Sequence, residues 1–93
     1  MTVDVSILIP ILNEEETIPA MLTRFEELKN RHSKYEIEFV LVDDGSTDKT
    51  VETIKNLAPN SLSITLLSLS RNFGSHAAIS AGFESCVGKC AII

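Results

Sequence analysis

Apolar positions in this chain follow two alternating rhythms. Short unbroken runs rich in Val, Ile and Leu give way to stretches whose apolar residues recur at helical spacing. The first run, Val3 to Ile11, is nearly all apolar and β-branched, as expected of a parallel strand covered on both faces. Behind it, Ile18, Met21, Leu22, Phe25 and Leu28 fall on one helical stripe. Pro19 suits a first turn, so this helix is predicted to start near Thr17, leaving Asn13 to Glu16 in a loop. Ile37 to Val42 is the second predicted strand. Ser46 or Thr47 is placed to cap a helix carrying Val51, Ile54 and Leu57, which ends before Pro59. Ser63 to Leu69 is the third strand. Phe73 to Cys86, with Ala77, Ala78, Ala81 and Gly82, predicts a helix of small residues that lies close to a sheet. Gly88 ends it, and Lys89 to Ile93 begins a fourth strand.

Strand and helix alternate with short connections, which predicts right-handed crossovers and an α/β, three-layer, Rossmann-like parallel sheet. It comprises three βα units and the start of a fourth strand. The glycine-rich dinucleotide fingerprint follows none of the strands, which argues against NAD-type binding.

Composition narrows the class. With 93 residues the chain is one domain at most, and 44% apolar content is ordinary for a packed core. A net charge of −5 argues against a nucleic-acid or anionic-membrane binder, each of which needs a basic face. No apolar run approaches the ~20 residues that span a bilayer, and the N-terminus lacks a signal-peptide pattern. These features predict a soluble, cytoplasmic chain. Cys86 and Cys90 are too few for a zinc site and are expected to act as small buried hydrophobes.

The candidate chemistry sits where strands run out, the edge at which open α/β sheets bind ligands. One loop is Pro10-Ile11-Leu12-Asn13-Glu14-Glu15-Glu16, and another is Val42-Asp43-Asp44-Gly45-Ser46-Thr47-Asp48. Adjacent strand residues face opposite ways, so only one of Asp43 and Asp44 should point into a ligand crevice. Gly45 permits a tight turn there. Read alone, this loop fits a plain turn and helix cap as well as it fits a site. Glu15 and Glu16 are expected to be solvated. The third loop, Ser70-Arg71-Asn72-Phe73-Gly74, sets an arginine before a helix N-terminus, an arrangement suited to an anion. A surface ion pair between Arg71 and an acidic loop is the alternative. His76, in the first turn of that helix, is expected to pack or cap.

Together these three segments resemble the family 2 inverting glycosyltransferases, over essentially the whole chain from Val5 to Ile93. The Arg71-Asn72-Phe73-Gly74 element followed by a small-residue helix is most similar to the branch that loads sugars onto polyprenyl or dolichyl phosphate. The resemblance implies the N-terminal, nucleotide-binding half of a GT-A fold, with a UDP- or GDP-sugar donor and a lipid-phosphate acceptor. It assigns Pro10, Leu12 and Glu14 to the nucleoside pocket, and Arg71 and Asn72 to the pyrophosphate. It counts both Asp43 and Asp44 among the nucleotide-binding residues, with Asp44 reading the base edge. A carboxylate accepts from the imino N–H of uracil or guanine and meets only an acceptor on adenine or cytosine. Leu12 departs from the aromatic ring common in relatives, which implies weaker base stacking.

The resemblance further implies a divalent metal, Mg or Mn, in the intact enzyme, held by an Asp-x-Asp motif beyond residue 93. The acceptor half, catalytic base and C-terminal membrane helices would lie further on. No catalytic or metal-binding residue is therefore assigned within residues 1–93, and this segment alone is expected to be inactive. The acceptor would put the intact enzyme at the cytoplasmic face of the membrane. A haloacid dehalogenase-type phosphatase, suggested by Asp44-Gly45-Ser46, fails because Val42 stands where its nucleophilic carboxylate belongs. A non-catalytic nucleotide-binding or interaction module remains the alternative. In the GT-A arrangement the fourth strand would lie beside the first, and the exposed sheet edge predicts self-association.

Overall fold

The computed structural model describes residues 3–92, and side chains through residue 91. Strand β1 (Val5–Ile11) leads to helix α1 (Ile18–Arg31), β2 (Ile37–Asp43), α2 (Thr50–Leu57), β3 (Ser63–Ser68), α3 (Ser75–Ser85) and β4 (Lys89–Ile92). The strands form one parallel sheet in the order β3-β2-β1-β4. The strand after α3 thus lies beside β1, as the GT-A arrangement implies. Ile93, predicted to extend β4, lies outside the described residues.

Alternation along the strands sorts the core into two layers. Ile7, Ile11, Phe39 and Leu41 pack with Ile18, Leu22 and Phe25 of α1 and Ile54 of α2. Phe25 and Phe39 stack with centroids 4.1 Å apart. Leu8, Val40 and Val42 face the other way, against Ala78 of α3. The small residues of α3 have a clear purpose there. A Cβ added at Gly82 would come within 2.1 Å of Leu8 Cδ1 and 2.6 Å of Val42 Cγ2, so α3 sits as close to the sheet as a glycine permits.

Several predicted details change. Leu57 is 50% exposed rather than core, because α2 is short and only its Thr50 and Ile54 are buried. Neither Ser46 nor Thr47 caps α2, whose first turn instead follows Lys49. Asp48 does the nearest equivalent work, its Oδ1 accepting from the Thr50 N–H at 3.0 Å and from the Thr50 hydroxyl. Helix α3 starts at Ser75 rather than Phe73 because Gly74 adopts φ 95, outside the helical region.

Among the described residues, pairing of β1 with β4 runs from Val5 to Leu8. At this end of the sheet, Ser6 and Glu38 are buried together. Ser6 Oγ donates to Glu38 Oε1 at 2.6 Å. The Val87 N–H donates to the same pair at 3.1 Å, and the Gly88 N–H donates to Ser6 Oγ at 2.9 Å. A buried carboxylate is tolerable when its hydrogen bonds are met, and this pair fixes the turn from α3 into β4.

Candidate functional site

Three loops meet at the C-terminal edge of the sheet, after β1, β2 and β3. Ladder bonds carry past the strand ends to join them: the Asp44 N–H donates to the Ile11 carbonyl and the Leu69 N–H to the Asp43 carbonyl, each at 2.9 Å.

The first two loops are clipped together by Asn13. It sits at φ 52, in the left-handed region that asparagine tolerates better than other side-chain-bearing residues. Its N–H donates to Ser46 Oγ at 2.8 Å, and its Oδ1 accepts from the Thr47 N–H at 2.9 Å and the Asp48 N–H at 3.4 Å. The next residues extend the seam. Glu14 N–H donates to Thr50 Oγ1 at 2.8 Å, and Glu15 N–H to Asp48 Oδ2 at 3.3 Å. Hydrogen bonding, foremost from the Thr50 hydroxyl, holds the Asp48 carboxyl below its ordinary value of 3.8. Asn13, Ser46, Asp48 and Thr50 therefore shape the site. The first three lie in the two candidate loops read from the sequence, and Thr50, at the start of α2, is the one that reading does not reach. Asn13, a residue type suited to positive φ at a strand end, is the local signal for the clip.

The two aspartates divide as strand alternation requires. Asp43 is 2% exposed and turned into its own loop. It accepts from the Ser46 N–H at 3.2 Å, from the Ser46 hydroxyl, and from Ser68 Oγ at 3.4 Å. Asp44, 4% exposed, reaches the third loop. Its Oδ1 accepts from the Phe73 N–H at 2.9 Å and its Oδ2 from the Gly74 N–H at 3.1 Å. Gly45 makes this closeness possible. At φ 80, it lets the Arg71–Asn72 peptide approach so near that an added Cβ would meet Arg71 C at 2.3 Å.

The remaining predicted residues are arrayed around this junction. Pro10 is half-buried on β1, paired in register with Val42. Leu12 is 38% exposed in the bend after β1. Glu14 is half-buried, and its Oε2 accepts from Thr17 Oγ1 at 2.5 Å. Arg71 is exposed, with its guanidinium carbon 4.6 Å from the Phe73 ring centroid. Asn72 is exposed too, and its Oδ1 accepts from the Gly74 N–H at 3.0 Å, so it shapes its own loop. His76 is exposed in the first turn of α3. The residues expected to bind a nucleotide thus share one edge of the sheet, with Asp43 and Asp44 already engaged in holding it.

Residues 6–93 match the family described as "Glycosyl transferase family 2". The chain belongs to that family. It is 45% identical over 89 residues to an undecaprenyl-phosphate 4-deoxy-4-formamido-L-arabinose transferase of Pseudomonas savastanoi pv. phaseolicola, covering 95% of this chain and 26% of the relative. It is 40% identical over 91 residues to a prophage bactoprenol glucosyl transferase homolog of Escherichia coli K12, covering 95% of this chain and 28% of that protein. Among solved structures, S. aureus TarS superposes with a TM-score of 0.80 at 26% identity, over 97% of this chain and 16% of that one. The mannosyltransferase PcManGT of Pyrobaculum calidifontis, solved with GDP-Man and Mn2+, gives 0.70 at 25% identity, over 92% and 25% of the two chains. The chain therefore spans about a quarter of the length of the curated relatives it matches.

Among the described residues, no group of three or more His, Cys, Asp or Glu side chains is arranged to hold a metal ion.

Proposed function

We propose that this chain is the donor-nucleotide part of an inverting glycosyltransferase. The reaction moves a sugar from a uridine or guanosine diphosphate sugar to a polyprenyl phosphate. The carrying observation is the junction of three strand-end loops, tied across by Asn13 and Asp44. The names of the bacterial relatives support the lipid-phosphate acceptor, and the GDP-Man complex of the mannosyltransferase supports a nucleotide-sugar donor.

In this reading Pro10, Leu12 and Glu14 border the base and ribose. Asp44 accepts the imino N–H of the base. Each of its oxygens already takes one backbone N–H, and a carboxylate oxygen has room for a second donor. The base would thus add to the existing bonds rather than replace them. Arg71 and Asn72 lie on the pyrophosphate side. Stacking on Phe73 leaves the guanidinium edge free to donate to phosphate oxygens. Asp43 keeps the loop closed. A divalent cation would neutralise the departing diphosphate, and its ligands would come from outside residues 1–93. The lipid acceptor implies work at the cytoplasmic face of a membrane, and no helix among the described residues is long and apolar enough to cross one.

Titration of the isotope-labelled chain with UDP, GDP and ADP tests the donor site. UDP or GDP should shift the amide signals of Ile11, Asp44 and Arg71 more strongly than ADP does. Equal shifts for all three nucleotides, or shifts that map elsewhere, would overturn the assignment. A longer polypeptide that contains this segment and spans the relatives' length should place labelled sugar on polyprenyl phosphate. Nucleotide binding without lipid-linked product would favour the non-catalytic nucleotide-binding module instead.

A further inference from the structure

The donor site leaves one pair of thiols unused, at the other end of α3. Cys86 follows the last helical residue and turns extended at φ −73, ψ 132. Cys90 lies in β4, in register with Ser6 of β1. Their sulfurs are 3.2 Å apart, both half-buried against the Leu8–Val40 layer.

The connection between them is held from several sides. Val87 and Gly88 give their N–H groups to the buried Ser6–Glu38 pair. The Lys89 N–H donates to the Asp4 carbonyl at 3.1 Å. Gly88 lies so close to the Asp4–Val5 peptide that an added Cβ would meet it at 2.8 Å. The two thiols are therefore brought together by the framework around them. A disulfide requires sulfurs bonded at about 2 Å, so only a small closing motion separates this pair from one.

We infer that Cys86 and Cys90 form a dithiol–disulfide pair, a redox modification site that closes on reaction with a low-molecular-weight disulfide such as oxidised glutathione. In the first step the Cys90 thiolate attacks one sulfur of the oxidant, forming a mixed disulfide and expelling one thiolate. Cys86 then loses its proton to solvent and attacks the Cys90 sulfur, expelling the second glutathione thiolate. Two electrons pass from the cysteines to the oxidant, and the two expelled thiolates take up from solvent the two protons that the cysteines released. Cys86 reacts second because burial first, and then Cys90 and Glu38, push its thiol up to about 11. Closure would tie the edge strand β4 to the end of α3.

Lys89 separates the two cysteines, so trypsin provides a direct readout. The folded chain is equilibrated with excess oxidised glutathione, alkylated, denatured and digested. The monomer should be lighter by two hydrogen atoms, and the peptides containing Cys86 and Cys90 should stay joined until a reductant is added. Cys86→Ser should instead stop at a glutathione adduct on Cys90. The equilibrium between open and closed forms at a fixed glutathione ratio should favour closure at least about tenfold more in the folded chain than in urea, because the fold holds the thiols in contact. The proposal is overturned if both cysteines alkylate fully, if each carries its own glutathione, if the bridge joins two chains, or if urea leaves that equilibrium unchanged.

Discussion

Asp44 and Phe73 are 29 residues apart in the chain, and the Phe73 N–H donates to Asp44 Oδ1 at 2.9 Å. With the Gly74 N–H on the other oxygen at 3.1 Å, this carboxylate anchors the loop that carries Arg71 and Asn72. The residue proposed to recognise the base is therefore also the residue that builds the opposite wall. On that proposal, specificity and loop order would be coupled through one side chain.

Asp44→Asn tests that coupling. One carboxylate oxygen becomes an NH₂ facing a backbone N–H, which leaves a donor unsatisfied. Hydrogen bonds to charged groups contribute roughly 1.5–3 kcal/mol, so a loss of about 2 kcal/mol is expected in urea denaturation. The Phe73 and Gly74 amide signals should move in the absence of nucleotide, and the preference for UDP or GDP over ADP should vanish. A variant that loses base preference with those two signals unmoved would separate recognition from loop order.

The clip between the first two loops makes a graded prediction. Asn13→Asp keeps an oxygen for the Thr47 and Asp48 amides and a residue tolerant of positive φ, so its urea midpoint should stay near that of the parent. Asn13→Ala loses the acceptor and strains the backbone, with a cost of about 1–3 kcal/mol expected. If the two variants are equally stable, the seam does not depend on that oxygen.

Much of this arrangement was legible before the fold. Apolar runs separated by helical stripes fixed the strand and helix alternation, because burial on both faces of a parallel sheet leaves no polar alternation to confuse it. The strand-end loops stood out because Asp43-Asp44-Gly45 and Asn13-Glu14 break those runs abruptly. Their partners did not stand out. Nothing local to Asp44 points to a backbone amide at position 73, since that contact exists only once β3 lies beside β2. The capping of α2 was misassigned for a related reason. The Ser46 and Thr47 hydroxyls donate instead to Asp43 and Asn13, which leaves Asp48 to close the turn. Cys86 and Cys90, expected to be small buried hydrophobes, are half-buried, and they meet through the turn held by Ser6 and Glu38.

Gly45 predicts a larger effect than its size suggests. Alanine at this position would meet Arg71 C at 2.3 Å and would have to adopt φ 80. Backbone lies on both sides, so neither strand-end loop can yield by rotating a side chain. Gly45→Ala should lower stability by about 1–3 kcal/mol. It should also displace the Arg71 and Asn72 amide signals and weaken nucleotide binding. Normal UDP shifts in a folded Gly45→Ala chain would show that the third loop is not part of the site.

Acid should loosen the seam through Asp48. Its carboxyl titrates below the ordinary 3.8, chiefly through the Thr50 hydroxyl. A carboxylate with a depressed folded pKa contributes stability above its unfolded value, and loses that contribution as pH falls through the folded one. The Asp48 contribution should therefore be complete at neutral pH and should fade below about pH 4. Asp48→Asn should flatten that part of the urea-midpoint profile between pH 5 and about pH 3. An unchanged slope in the variant would mean that other carboxylates carry the acid sensitivity.

Leu12 offers the one prediction of improved binding. It is 38% exposed in the bend after β1, beside the proposed base pocket, and leucine covers a base without stacking on it. An aromatic ring at this place would gain stacking energy while keeping the apolar cover. Aromatic pairs contribute roughly 0.5–1.5 kcal/mol beyond area burial, so Leu12→Tyr should tighten UDP or GDP binding by about 2- to 10-fold. Because the side chain already faces solvent, the substitution should leave the urea midpoint nearly unchanged. Calorimetric titration of the two chains gives the comparison. Equal affinities in a well-folded Leu12→Tyr chain would place the base away from the β1 loop, and would remove Leu12 from the donor site.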